Sequence, residues 1–372
     1  MKDILLYAVG DVGPNRDDPH TIFKHVKQIT RQGDIGFCQL ETNLSLRGTA
    51  SPQARLPMRA HPESAIAIRD AGFNVVSFAG NHCMDWGREA FFETIESLEE
   101  QGISVIGVGK NIEEARRPAL LEIKGTKIAF LAYNSILPMA YWAEVDRPGC
   151  VPMRAWTFYE QIEHDQPGTP CRTHTFPHKE DLKAMVEDIQ KAKSENDIVI
   201  LSMHWGIHFV PAHLADYQRE IARVAIDCGA DLILGHHPHI LKGIEVYKGK
   251  IITYSLGNFA IEQPAAFMAE LYKSKGHKEI EELNPLWKTD EEYPLPSETR
   301  KTMIVKCKIT GESINRISFL PAYLNAKCEP EVLSSGDKRF EEVIEYMKTI
   351  TRDQGLDTSF FNNADEVVAK NI

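Results

Sequence analysis

Apolar runs along this chain repeatedly end in side chains that can bind a metal ion. Residues 4–9 run into Gly10-Asp11, 33–40 into Glu41-Thr42-Asn43, 74–79 into Gly80-Asn81-His82, 197–202 into Met203-His204, and 232–234 into Gly235-His236-His237-Pro238-His239. Short apolar runs bounded by glycine read as buried strands. In α/β proteins the chemistry gathers at the carboxyl ends of such strands. Helical patterns lie between them: 61–71 opens on His61-Pro62-Glu63 and closes at Gly72, 89–100 puts Phe92, Ile95 and Leu98 on one face, and 178–194 and 214–228 follow. Hairpins are predicted around Lys124-Gly125, Lys248-Gly249 and Gly311, with 254–259 closing the sheet of the second hairpin. The alternation predicts an α/β fold with mixed sheets.

Asp11, Glu41, Asn81, His204, His237 and His239 bring carboxylate, amide and imidazole donors to these strand ends, a set suited to manganese, iron or zinc. A glutamate directly behind an apolar strand is costly to bury unless paired or metal-bound. His237 and His239 point to one side if the backbone stays extended through Pro238. Six donors exceed what one tetrahedral ion takes, so two divalent ions sharing Glu41 are expected. Read singly, each residue has a structural explanation; Asp11, for example, suits a turn or a helix cap.

The formal charge of −11 over 372 residues argues against a nucleic-acid partner, which needs a basic surface. No run reaches the roughly 18 apolar residues of a membrane span, and the opening MKDILLYAVGD has no signal-peptide shape, so a cytoplasmic protein is expected. The seven cysteines are scattered without a C-x-x-C spacing, as reduced thiols would be. Cys150 and Cys171, with His164, His174 and His178, fit no common zinc spacing. Residues 136–177 carry prolines and aromatics without clear periodicity and are expected to form a largely irregular, lid-like insertion. Residues 264–298 suggest a loop or partial lid, and a helix over 340–350 precedes a polar tail. One domain is therefore expected over 1–325, with a C-terminal helical extension over 326–372.

The ordered series GD, LETNLS, GNHCMDWG, MHWG, GHHPH and YSLGNF resembles the CapA family of poly-γ-glutamate capsule-biosynthesis proteins, itself similar in fold to calcineurin-like metallophosphoesterases. The resemblance covers about residues 5–259 and continues more weakly to about 320. It implies a four-layer αββα sandwich of two mixed sheets flanked by helices. It implies one ion on Asp11, Glu41 and His239 and a second on Glu41, Asn81, His204 and His237. It implies His82, held by Asp85, as general acid or transition-state stabiliser, and Asn43 and Asn258 as residues that orient ligands. The chain departs from the wider phosphoesterase pattern in two places: Asp11-Val12-Gly13 lacks the usual histidine, and Glu41 replaces the bridging aspartate. The implied activity is hydrolysis or transfer at a phosphoester or γ-glutamyl-type amide of a small-molecule or peptide-like substrate. The other implied role is a non-catalytic accessory subunit of a peptide or polyglutamate ligase. Capsule members commonly carry an N-terminal membrane anchor; this chain opens in its first strand, which favours a soluble relative. Arg16 and Arg59 are the candidate phosphate clamps, and Tyr7, Trp205 and Phe259 are candidate pocket aromatics, although aromatics beside strands are more often core.

Overall fold

The strand Ile4–Gly13 is buried almost throughout, which places it inside a sheet and not at an edge. In the computed structural model, which describes residues 2–54, 56–262, 273, 278–279, 282, 293 and 295–371, it lies in the middle of a ten-stranded sheet. The order across that sheet is Ser359–Asn363, Glu366–Lys370, Ser313–Leu324, Lys301–Thr310, Ile4–Gly13, Ile35–Leu40, Val75–Ser77 and Ser104–Ile106. Asn258–Ile261 and Pro330–Val332 pair off this path with Ile4–Gly13 and Ser313–Leu324. Ile35–Leu40 runs parallel to Ile4–Gly13 and Lys301–Thr310 antiparallel to it, so the sheet is mixed. A second mixed sheet of six strands has the order Ile244–Tyr247, Lys250–Thr253, Leu232–His236, Ile198–His204, Thr126–Asn134 and Ala119–Ile123.

The two-residue period of the strands divides the core. Along Ile198–His204, Ile198 and Ile200 face the large sheet, whereas Val199, Leu201 and Met203 face the helices Lys179–Glu195 and Asp216–Asp227. Phe37 of the large sheet and Phe130 of the small one stack across the joint, with ring centroids 6.0 Å apart. On the outer side, Met185, Ile189, Ile221, Ala222 and Ala225 close the small sheet. Helices Ser64–Asp70, Gly87–Glu100 and Lys338–Asp353 pack on the large sheet's elements. The result is the four-layer αββα arrangement of two mixed sheets flanked by helices.

Three local expectations change. Asn258–Ile261 does not close the small sheet: it crosses to the large one and pairs in parallel with Asp11–Gly13. Residues 136–177 are more regular than expected, with a short 3-10 turn at Met139–Tyr141 and a seven-pair antiparallel ribbon of Ala155–Gln161 against Cys171–Pro177. The C-terminal extension is more than helical, since after Lys338–Asp353 the strands Ser359–Asn363 and Glu366–Lys370 add to the edge of the large sheet. Most of the expected loop at 264–298 lies outside the described residues. Tyr7, Trp205 and Phe259 are buried in the core.

Candidate metal centre

Asp11 sits where its strand changes neighbours. Residues Ile4–Ala8 pair with Lys301–Thr310, while Asp11–Gly13 pair with Asn258–Ile261, and the register shifts on either side of Asp11. Such an irregularity re-aims a side chain at the end of a sheet. Glu41 follows Ile35–Leu40, and its N–H is bonded to Val12 O at 2.8 Å, which fixes it beside Asp11. Asn81 follows Val75–Ser77 in the same sheet, and Gly80 leaves Glu41 its space, because a Cβ there would stand 2.9 Å from Glu41 Oε2.

The small sheet supplies the imidazoles. His204 ends its strand, and Nε2 lies 2.7 Å from Asn81 Oδ1 and 3.6 Å from Glu41 Oε1. His237 Nδ1 lies 3.2 Å from the same Asn81 oxygen. Donor atoms of Glu41, His204 and His237 all fall within 4.8 Å of one another. His239 Nδ1 lies 2.8 Å from Asn258 Oδ1 and 3.4 Å from Asp11 Oδ2, so Asp11, His239 and Asn258 form an adjoining group. The backbone that delivers His237 and His239 is not extended: both have positive φ, 96° and 59°, in a turn that begins after His236. The turn is held from outside, with Trp205 N–H bonded to His236 O at 3.1 Å and Phe209 N–H to Pro238 O at 3.1 Å. Buried Lys242 ties down the same neighbouring loop by donating to the carbonyls of Val210 and His213.

Both oxygens of Asp11 and both of Glu41 are buried and have no hydrogen-bond partner among the described residues. Uncompensated carboxylates of this kind are expensive to bury, and a nitrogen and oxygen donor set facing them fits a divalent cation. Burial, reinforced by the charge of Asp11, pushes the Glu41 carboxyl up to about 8, although His82 and His239 pull against that shift. Burial holds His204 and His237 well below the usual imidazole range, and the neighbouring imidazoles add to it, so both stay neutral donors at pH 7. His239 is raised: burial opposes its charge, but Asp11 outweighs it.

His82 Nδ1 lies 2.5 Å from Asp85 Oδ2. Burial disfavours its charged form, yet Asp85 more than compensates and raises it to about 9. Asp85 Oδ2 also accepts from Met58 N–H at 2.7 Å, so the carboxylate is built into the loop. Asn43 positions this loop instead of orienting a metal ligand, donating to Cys83 O at 2.7 Å and accepting from Trp86 N–H at 3.2 Å. Two further histidines belong to the cluster. His236 is fully buried, with Nδ1 3.9 Å from Asp11 Oδ1, and burial lowers it to about 4. His208 lies tilted against His237, ring centroids 3.9 Å apart, and stacks on His239 at 5.3 Å. The His204-x-x-x-His208 spacing was the available signal for it.

Cys150 is buried and Cys171 exposed; the potential metal ligands that converge among the described residues are Glu41, His204 and His237. All seven cysteines are free thiols. No helix among the described residues is long and apolar enough to cross a membrane.

Comparison with known proteins matches residues 4–263 to the family described as "Bacterial capsule synthesis protein PGA_cap". A relative named "PGA biosynthesis protein CapA" from Bacillus subtilis (strain 168) is 29% identical over 265 residues, covering 71% of this chain and 62% of its own length. A Mycobacterium tuberculosis relative named "Probable polyglutamine synthesis accessory protein" is 29% identical over 229 residues, covering 60% of this chain and 55% of its own. The chain thus spans less than two thirds of the length of either relative. Among solved structures, a putative 5'-nucleotidase from Staphylococcus aureus aligns with a TM-score of 0.44 and 13% identity over 94% of this chain and 58% of its own.

Proposed function

This chain belongs to the bacterial capsule synthesis protein PGA_cap family, and from that premise we propose that it is a metal-dependent hydrolase or transferase acting at a phosphoester or γ-glutamyl-type amide. The observation that carries the proposal is the pair of buried, unpartnered carboxylates, Asp11 and Glu41, faced by the imidazoles of His204, His237 and His239. Asp11, Glu41 and His239 would hold one divalent ion, and Glu41, Asn81, His204 and His237 a second, manganese, iron or zinc. Such ions supply Lewis-acid polarisation of an ester or amide oxygen and a more acidic water. Low-lying His204 and His237 need shed no proton to serve as ligands. Asn258 Oδ1 lies 2.8 Å from Nδ1 of His239 and orients its ring.

His82 supplies the proton. Asp85 orients the ring through Nδ1 and keeps it charged at neutral pH, so the opposite nitrogen carries an N–H suited to a developing negative charge or a leaving group. The ribbon of the 136–177 segment acts as a lid in this proposal. Thr175 N–H donates to Asp216 at 3.1 Å, Thr175 Oγ1 accepts from Tyr217 N–H at 3.1 Å, and Tyr217 in turn holds Gly206 N–H at 2.8 Å, beside His204. We place the protein in the cytoplasm, supported by its unpaired cysteines, with a poly-γ-glutamate or peptide ligase as partner. The Mycobacterium relative, named as a polyglutamine synthesis accessory protein, supports a second reading, a non-catalytic accessory subunit of such a ligase.

The test is a screen of metal-reconstituted protein against phosphomonoesters, phosphodiesters and γ-glutamyl anilides. The expected result is turnover of one class, reduced by about 10²–10⁴-fold in His82→Gln with metal content unchanged. Metal-loaded protein that turns over none of them would support the accessory role instead.

A further inference from the structure

The two arginines near the strand ends have different surroundings. Arg16 donates to Glu262 at 2.9 Å and to Glu329 at 3.2 Å, so its charge is neutralised within the fold. Arg59 has no carboxylate partner among the described residues, and its guanidinium lies over the indole of Trp86, Cζ 3.7 Å from the ring centroid. Both members of that pair are placed by the loop that carries His82. Asp85, which orients His82, also fixes the N–H of Met58, and Trp86 and Arg59 are the next residues along their respective segments. Asn43, two residues beyond Glu41, holds Trp86 N–H and lies opposite Arg59 in a short parallel pairing.

A cleft of about 580 Å³ opens at this point, with Arg16, Asp17, Arg59, His61, Glu63 and Trp86 among its walls. A guanidinium supported on an aromatic face keeps its N–H edge for a bidentate grip on a carboxylate or phosphate. Glu63 stands 3.5 Å from His61, and with Asp17 it adds negative charge to the lining of the cleft. That balance suits a ligand bearing one compact oxyanion more than a polyanion.

We propose that Arg59 and Trp86, held by the loop that carries His82, form an oxyanion subsite that grips a carboxylate or phosphate group of the substrate. This rests on the proposed function only in calling the ligand a substrate; the binding itself needs no metal.

The test titrates inorganic phosphate and, separately, glutarate into chelator-treated full-length protein at low ionic strength, followed by calorimetry. The expected result is saturable binding of one of them, weakened at least about tenfold in Arg59→Gln and only partly in Arg59→Lys, which keeps the charge but loses the fork. Preference for phosphate identifies a phosphoester substrate, and preference for glutarate a carboxylate-bearing one. Failure of both anions to bind the wild type, or equal binding by Arg59→Gln, overturns the subsite. Because the protein is metal-free throughout, this failure is separate from any failure of the metal centre, which is read from the metal content of Glu41 variants.

Discussion

Glu41 carries the electrostatic problem that the surrounding residues resolve. Without a cation its burial and the nearby charge of Asp11 favour the protonated acid up to about pH 8, whereas a metal ligand must be ionised. Metal binding therefore displaces a proton from Glu41, and affinity should rise with pH up to about 8 and fall on acidification, about tenfold per unit for that proton. Competition titrations against a chelator of known affinity at several pH values check this, and a pH-independent affinity would exclude Glu41 as a ligand. At this scale much could be read from residue type alone: Asp11, Glu41, Asn81, His204, His237 and His239 stand out because each follows an apolar run. What could not be read was the left-handed turn at His237 and His239, since a histidine at positive φ leaves no mark in sequence. Nor did the cluster's other histidines stand out. His236 was not singled out from the two histidines after it, and His208 reaches His237 only because the loop after His204 folds back on the turn.

The elements that aim these side chains depend on close backbone packing. Gly235, just before the histidine turn, lies so near the neighbouring chain that a Cβ would stand 2.3 Å from Tyr254 O. Gly235→Ala should lower the unfolding free energy by about 1–3 kcal/mol, measured by denaturant titration, and should also lower metal content as the turn is displaced. An unchanged midpoint with full metal would mean that the backbone yields there without consequence. Strands and helices with a clear apolar period were legible within a few residues of their ends. The ribbon Ala155–Gln161 with Cys171–Pro177 was not, because its aromatics, Trp156, Phe158 and Phe176, are exposed and give no buried face to detect. The strands Ser359–Asn363 and Glu366–Lys370 escaped notice because they are short and add to the edge of the sheet, with Val367 and Ala369 alone fully turned into the core.

Over the whole molecule, the candidate site lies astride the joint between the sheets. Asp11, Glu41 and Asn81 come from the large sheet's strand ends, and His204, His237 and His239 from the small one's. Sheet order was not legible from local pattern, because pairings such as Asp11 with Asn258 join residues far apart in sequence. The two-sheet architecture came instead from family resemblance. A cation bound at the joint would tie the sheets together, so metal at about 100 times its dissociation constant should stabilise the fold by about 2.7 kcal/mol. A rise in thermal midpoint on metal addition, absent in Glu41→Ala, reports that coupling, and an unchanged midpoint in the wild type would deny it. The most direct test of the centre itself is elemental analysis of purified, metal-reconstituted protein beside Glu41→Ala and His237→Ala, with circular dichroism to confirm folding. About two equivalents of manganese, iron or zinc in the wild type, lost in both folded variants, is the expected result; a folded wild type that takes up no metal, or variants that keep all of it, would contradict a metal centre at this site.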